Sequence, residues 1–302
     1  MPIGIFDSGL GGLTVAAEVI KLLPKENIVY FGDTGRVPYG NRGRDVIRRY
    51  AKEDAQFLLS KDVKLIIAAC GTVSSVAPDI GDALPVPFVE VVTPASISAV
   101  RATKNKKIGV AGTAATVSSG SFVKTIEKID PSVSVFTKAC PLFVNIVEEG
   151  YFEKGDPLPA LVTERYLKPL KDAGVDTLIM GCTHFPMLKE VIADYMGEHV
   201  ALINAGEQTA KTAKAALEAR GLLNTSKTDG RAEFFVSDRP QGFSRIAKSF
   251  LGRDISESVT ADQWFLVICP CRQTGSDHNN RRKATFRRSV SRNNRNDGRR
   301  KA

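Results

Sequence analysis

The sequence predicts an α/β protein of two similar domains, each a mostly parallel sheet covered by helices, with one site between the domains. Strand-like and helix-like segments alternate from the first residues, which is typical of parallel sheets joined through helices. Two segments, 63–72 and 175–184, read as copies of each other, and the short segments 3–8 and 108–113 also correspond. Internal similarity of this kind indicates two related halves.

The predicted strands are short apolar segments at 3–6, 27–31, 65–67 and 87–92 in the first half and at 107–111, 133–136, 177–180 and 200–203 in the second. The segment 46–58 places its apolar residues on one face of a helix. After Asn204 we predict a helix at 206–220, a strand at 233–236 and a helix at 242–251, followed by an apolar segment at 264–268. We therefore predict a first domain of residues 1–97 and 207–268, and a second domain of residues 98–206.

The formal net charge of +9 is confined to the C-terminal end. Residues 272–302 hold 11 Lys and Arg and two Asp, whereas the other 271 residues hold 31 basic and 31 acidic residues. The globular part therefore gives no electrostatic reason to bind nucleic acid. Residues 269–302 contain one Phe and no Leu or Ile, so they cannot bury enough apolar surface to fold. We therefore expect these residues to form a basic, disordered tail. Such a tail could bind nucleic acid only non-specifically, through its phosphates.

The composition predicts a cytoplasmic protein. No apolar run is long enough to span a bilayer, and the N-terminus lacks the basic start and long apolar stretch of a signal peptide. Five cysteines, an odd number without framework spacing, are expected to be reduced. Cys269 and Cys271 have no second pair and the three histidines do not cluster with cysteines, so we expect no metal site.

Cys70 and Cys182 are the strongest candidates for chemistry. Each follows an apolar run that reads as a buried strand, and open α/β sheets bind ligands at the ends of such strands. A single cysteine in this position is most simply a packing residue, and we interpret Cys140 in that way. The matched context, with small or polar residues at 71–72 and 183–184, instead favours one site with two equivalent thiols. A reaction with two mirror-related proton transfers would use such a pair.

Four loops carry the polar groups that would surround a small zwitterion, at 7–9, 38–40, 70–72 and 182–184. Their hydroxyls and exposed backbone N–H groups can hold a carboxylate, particularly where a helix begins after the loop. Asp7 could receive an ammonium group or tune a thiol, and His184 could do the same.

In their order and spacing these motifs resemble the cofactor-independent aspartate/glutamate racemase family. The similarity runs from about residue 2 to residue 252. Besides the cysteine motifs, it includes the segments 33–40, 139–144, 148–150, 181–186 and 235–238. Each segment is a modest signal alone, but their combination is specific.

The resemblance implies racemisation of L- and D-glutamate without a cofactor, with D-glutamate supplied to peptidoglycan synthesis. One cysteine, as thiolate, removes the α-proton, and the other, as thiol, delivers a proton to the opposite face. In the family the cysteine that corresponds to Cys70 acts on D-glutamate, and the one that corresponds to Cys182 acts on L-glutamate. Asp7 and His184 fall on the positions of the assisting acid/base groups. The substrate-binding positions implied for this chain are Asp7, Ser8, Tyr39, Gly40, Gly71, Thr72, Thr183 and His184.

Thiols suit this chemistry because a free cysteine, with a pKa of ~8.5, can act as either acid or base near neutral pH. We see no motif that would hold pyridoxal phosphate and expect no cofactor. We expect the protein to form a homodimer and to bind the small molecule glutamate as its substrate. We expect no association with membranes.

The sequence departs from the family pattern at Gly71, where the family has Asn. The glycine removes two hydrogen-bond donors and one acceptor from the site. Two expectations follow. The chain could be a weakly active homologue. In addition, Gly71→Asn should raise kcat/KM if the loop accepts the side chain, and we expect that it does, because Asn tolerates left-handed backbone geometry well.

Other interpretations stay open. The segment from Gly9 to Gly12 follows a strand and opens a helix, and Asp33 ends the next strand, as in a nucleotide-binding oxidoreductase. Against this, Thr14 stands where the third glycine of that motif belongs. The chain could also be another racemase of the family, such as one for aspartate, or a decarboxylase built on one cysteine. A non-enzymatic alternative is binding of nucleic acid or a protein partner through the tail.

Overall fold

The computed structural model describes residues 1–238, 240–252, 255 and 259–261. Residues 1–261 form one compact unit. The apolar segment 264–268 and the predicted tail 269–302 lie outside the described residues. The strands, in chain order, are β1 (Ile3–Asp7), β2 (Ile28–Gly32), β3 (Leu65–Ala68), β4 (Phe88–Glu90), β5 (Lys107–Gly112), β6 (Ser134–Ala139), β7 (Thr177–Met180), β8 (Ala201–Asn204), β9 (Ala232–Val236) and β10 (Val259–Ala261).

The strands form two sheets in which all neighbours are parallel. The first sheet has the order β10-β9-β2-β1-β3-β4, and the second has the order β6-β5-β7-β8. The inner order β2-β1-β3-β4 of the first sheet is repeated by the whole of the second. The predicted fold class, two parallel sheets covered by helices, is therefore confirmed.

The helices connect the strands and cover both faces of the sheets. They are α1 (Leu13–Leu22), α2 (Arg44–Leu59), α3 (Gly71–Val76), α4 (Val92–Ala102), α5 (Ala114–Ser119), α6 (Ser121–Ile129), α7 (Pro141–Glu148), α8 (Pro157–Asp172), α9 (Lys189–Met196), α10 (Ala205–Glu218) and α11 (Pro240–Leu251). Short 3-10 turns lie at Tyr39–Asn41, Pro78–Ala83 and Phe185–Leu188.

The apolar runs of the sequence become strands because helices bury both faces of each sheet. Every residue of β1, β2, β3 and β7 is buried. The edge strand β6 keeps exposed residues and is less apolar. Helix α2 buries one stripe that includes Ile47, Ala51, Ala55 and Leu58, and most of its charged residues face outward, whereas Asp54 is buried.

The predicted strands and the helices at 206–220 and 242–251 are confirmed to within a few residues. Strand β10 was not predicted, because its three residues, Val-Thr-Ala, carry no recognisable apolar pattern. Within the described residues, no helix combines the length and the apolar character that crossing a bilayer requires.

Parallel strands bring their carboxyl ends to one edge of each sheet, where ligands bind in folds of this class. The central strands β1 and β5 are followed directly by Ser8 and Thr113. Their neighbours β3 and β7 are followed closely by Cys70 and Cys182. The fold therefore places a hydroxyl residue and a cysteine at equivalent positions in each half.

Candidate active site

A cavity of about 250 Å³ is lined by residues from the carboxyl ends of both sheets. Nine of the ten predicted site residues line it, namely Ser8, Tyr39, Gly40, Cys70, Gly71, Thr72, Cys182, Thr183 and His184. The tenth, Asp7, is buried and does not line the cavity, but its Oδ2 accepts a hydrogen bond of 3.1 Å from the N–H of Gly9, which does.

The two cysteines occupy equivalent positions and are mostly buried. Cys70 follows β3 and directly precedes α3, and 4% of its surface is exposed. Cys182 follows β7, with 9% exposed. Cys140 lies at the N-terminus of α7, is fully buried, and is not among the lining residues. The arrangement therefore offers two thiols, one from each half, to whatever occupies the cavity.

The surroundings of Cys70 favour the protonated thiol. Burial raises the pKa of Cys70 to about 12, and the nearby Asp7 carboxylate adds to the shift. The thiol donates to Ser8 Oγ at 3.6 Å. Burial also raises the pKa of Asp7, although His184 and the N–H groups of the loop oppose that shift. Because Asp7 Oδ1 has no hydrogen-bond partner among the described residues, this carboxyl can still hold or accept a proton.

The surroundings of Cys182 place a cation beside the sulfur. His184 Nδ1 lies 3.9 Å from Cys182 Sγ, and His184 Nε2 lies 3.0 Å from Glu148 Oε1. Burial lowers the pKa of His184, but its hydrogen bonds to Cys182 and Glu148 outweigh burial and raise the pKa to about 10. His184 is therefore an imidazolium at neutral pH, held by Glu148.

The ring of His184 also contacts helix α11. Phe250 of α11 packs edge-on against it, with 5.9 Å between ring centroids. Phe250 is itself buried, so the last described helix shields the histidine from solvent.

A chain of hydroxyl groups joins the two halves at the cavity wall. Thr72 Oγ1 and Thr113 Oγ1 are hydrogen-bonded at 3.1 Å, and Thr113 Oγ1 lies 3.0 Å from Thr116 Oγ1. Thr113 also accepts a bond from the N–H of Thr116, which caps α5. Hydroxyl groups fixed in this way can orient a carboxylate without carrying charge of their own.

The Tyr39 side of the cavity is anchored by buried charges. Tyr39 Oη bonds to Asp33 and lies 3.0 Å from Asp54 Oδ2, and Arg36 bonds to both carboxyl groups and to Glu53. Burial, together with the charge of Asp33, raises the pKa of Asp54 well above its ordinary value. We therefore assign a proton to Asp54, which donates to Tyr39, while Tyr39 donates to Asp33. Asp33 thus holds the loop that carries Tyr39, and its carboxylate is bonded to the side chains of Arg36 and Tyr39.

Gly11, in the loop after β1, lies at a contact between the two halves. A Cβ at Gly11 would lie 2.2 Å from Thr183 Oγ1 and 2.5 Å from His184 Nδ1. Only glycine permits this approach. This packing gives Gly11 a structural reason that does not involve a nucleotide.

Gly71 is also required by a close approach. A Cβ at this position would lie 2.5 Å from the carbonyl oxygen of Gly181 in the other half. The expectation that Asn would fit here and strengthen the site is not supported, because the backbones would have to separate first. The backbones at Gly71 and Gly181 therefore lie too close together for residue 71 to carry a side chain.

Two residues that sequence reasoning did not single out complete the site. Thr113 was visible only as the counterpart of Ser8 in the repeated strand-turn segments. Glu148 lies in a segment that supported the resemblance, but nothing in the sequence paired it with His184. In the part of the chain that the structure describes, no group of three or more His, Cys, Asp or Glu side chains is arranged to hold a metal ion.

Comparison with known proteins identifies similar chains over most of this length. The model of the family described as Asp/Glu/Hydantoin racemase matches residues 23–213. The glutamate racemase of Geobacter metallireducens is 44% identical over 256 residues, which cover 84% of this chain and 94% of that protein.

Solved structures show the same similarity. The structure of glutamate racemase isoform RacE1 from Bacillus anthracis has a TM-score of 0.82 at 35% identity, and covers 86% of this chain and 97% of its own. The structure of glutamate racemase from Francisella tularensis in complex with D-glutamate has a TM-score of 0.78 at 36% identity, covering 86% and 95%.

Proposed function

Because this chain belongs to the Asp/Glu/Hydantoin racemase family and is an amino-acid racemase, we propose that it interconverts L- and D-glutamate with two cysteines as its acid and base. The observation that carries the proposal is that one cavity is lined by a thiol from each half, Cys70 and Cys182. Two groups from two halves can address opposite faces of an α-carbon held between them. The relatives named above, called glutamate racemases, support glutamate as the substrate.

The protonation states of the two thiols set the direction of proton transfer. In our proposal Cys182, whose sulfur lies 3.9 Å from His184 Nδ1, acts first as the thiolate base, and Cys70, whose pKa is raised by burial, acts as the thiol that donates a proton. With L-glutamate bound, Cys182 takes the α-proton and forms an S–H bond, and the C–H electron pair remains on carbon. Cys70 then delivers its proton to the opposite face, which leaves D-glutamate and a thiolate at Cys70. The reverse sequence converts D-glutamate to L-glutamate.

The carbanion formed between these steps needs electrostatic support, because an amino-acid α-proton is very weakly acidic. We propose that the hydroxyl groups of Ser8, Thr72, Thr113 and Thr183 hold the substrate carboxylates. All four line the cavity, and Thr72 and Thr113 already bond to each other. His184 and Asp7 assist the proton transfers at Cys182 and Cys70. D-glutamate formed in this way would supply peptidoglycan synthesis, a role supported by family membership.

The proposal is tested by following deuterium from solvent into the α-position, starting separately from L- and D-glutamate. We expect incorporation with both enantiomers in the wild-type protein, and loss of racemisation in both Cys70→Ala and Cys182→Ala. Neither thiol can replace the other, because each serves one face. Parallel reactions with L- and D-aspartate compare the two substrates, and faster turnover of aspartate would reject glutamate as the preferred one.

Cys140→Ala is the matched control. This residue is a buried cysteine that does not line the cavity, so its loss should leave racemisation close to the wild-type rate. Substantial turnover in either Cys70→Ala or Cys182→Ala would reject the two-thiol mechanism.

A further inference from the structure

A second cavity, of about 310 Å³, lies beside the proposed substrate cavity. Its lining comes from segments 42–47 and 75–78 in the first half and from segment 115–124 in the second. The charged lining residues are Arg42, Arg44 and Lys124, and the lining that the structure describes includes no carboxylate. The cavity is therefore a positively charged space between the two halves.

These three cations are available to an anion. Each is exposed, and none forms an ion pair within 4.0 Å with a carboxylate of the described residues. Asp79, which is paired with Arg48, also lies within the field of Arg44. Asp79 does not line the cavity.

Ser75 gives an independent indication of a ligand. It lines this cavity, is only 7% exposed, and its Oγ has no hydrogen-bond partner among the described residues. A buried hydroxyl is normally bonded, because an unpaired one loses its hydration without compensation. Helix α6 also begins at the cavity with Ser121, has no side-chain cap, and adds the positive end of its dipole.

We propose that this cavity binds a small molecule that carries a phosphate monoester. Three cations and the free hydroxyl of Ser75 match a dianion with three terminal oxygens better than they match a carboxylate, which has one charge and two oxygens. The volume exceeds the need of a phosphate group, and Ile47, Val76 and Pro78 provide an apolar wall for an organic part.

The ligand would couple to the proposed substrate cavity, because the two cavities share short segments. Asn41 and Ala114 line the proposed substrate cavity, and the residues that follow them, Arg42 and Ala115, line the second cavity. Cations from both halves would hold one phosphate, so its binding stabilises the close approach of the halves. Resting on the proposed function, this predicts a lower KM for glutamate when the phosphate site is occupied.

Binding is tested without reference to catalysis, by calorimetric titration of the full chain with inorganic phosphate at fixed ionic strength. We expect saturable binding with a Kd of about 1 mM or tighter. The variant Arg42→Gln/Lys124→Gln should weaken it about tenfold or more, because charge-assisted hydrogen bonds are lost. Lys128→Gln changes an exposed lysine of α6 that does not line the cavity, and should leave the Kd unchanged.

Ser75→Ala separates a ligand contact from a structural role. We expect it to weaken phosphate binding about threefold or more while leaving the ligand-free protein at least as stable, because the hydroxyl is unpaired there. A purely structural serine would lower stability instead. The proposal is overturned if phosphate does not saturate, if Arg42→Gln/Lys124→Gln keeps the wild-type Kd, or if glutamate displaces phosphate from the cavity. If phosphate binds but the KM is unchanged, the coupling is refuted while the site stands.

Discussion

Gly71 sets how closely the two halves approach at the site. Its missing Cβ leaves room for the carbonyl oxygen of Gly181, which would otherwise be 2.5 Å away. We expect both Gly71→Ala and Gly71→Asn to lower kcat/KM for glutamate at least about fivefold, because overpacking a fixed contact costs about 1–3 kcal/mol. Steady-state kinetics with both enantiomers measures the effect.

Gly43→Ala is the control for this pair, since a Cβ at Gly43 meets no atom within 4 Å. Its activity should stay near the wild-type value. If Gly71→Asn raised kcat/KM while Gly71→Ala lowered it, the carboxamide would outweigh the steric cost and our account of this contact would be wrong.

The pKa of His184 makes stability depend on pH. Its folded value, about 10, lies above the ordinary 6.5 because of Cys182 and Glu148. A raised pKa contributes stability that is complete below pH 6.5 and is lost as pH rises through 10. Relative to His184→Asn, the wild-type free energy of unfolding should therefore fall by at most about 1.4 kcal/mol per pH unit within this window.

Urea unfolding from pH 6 to pH 10 measures this difference. His199→Asn, at an exposed histidine, should follow the wild-type curve. A constant difference between the wild-type protein and His184→Asn across the window would mean that His184 does not hold its proton in the folded state.

At the scale of elements, the 3-10 turn that carries Tyr39 is fixed to α2 by the bonds of Asp33 and Asp54. Asp33→Asn removes the buried charge that faces Arg36, so we expect a loss of about 3–5 kcal/mol in unfolding free energy and a higher KM. Asp54→Asn replaces a protonated carboxyl by an isosteric donor, and should cost about 1 kcal/mol or less. Chemical denaturation and KM for glutamate measure both variants. Equal losses in the two would contradict the proton assigned to Asp54.

The elements themselves were predictable where burial leaves a strong pattern. Apolar runs predicted β1, β3 and β7 because these strands are covered on both faces. Strand β10 could not be predicted, because three residues are too few to show a periodic apolar pattern. The candidate site was predictable where a repeated motif marked it, as at Cys70 and Cys182. The pairing of Glu148 with His184 depends on tertiary packing, which no local spacing encodes.

At the scale of the whole molecule, Thr14 ties the two halves behind the site. Its hydroxyl lies 2.8 Å from the carbonyl oxygen of Thr183 and 2.9 Å from that of Gly11. Thr14→Val keeps the shape and removes the donor, so it should cost about 1–3 kcal/mol. Thermal unfolding should show a fall of several degrees.

Thr209→Val is the control for this bond, because Thr209 is also buried and, among the described residues, its hydroxyl bonds within its own helix, to the carbonyl oxygen of Ala205. It should cost less. A larger loss in Thr209→Val than in Thr14→Val would show that the link between the halves contributes little.

The repeated strand order of the two sheets bears on how such a molecule can arise. A half-length ancestor with the order of the second sheet, paired about a twofold axis, would place two copies of one cysteine across a symmetric cleft. Duplication and fusion of its gene would free each copy to diverge. The present asymmetry, with Asp7 beside one thiol and His184 and Glu148 beside the other, is a difference that two identical copies could not carry.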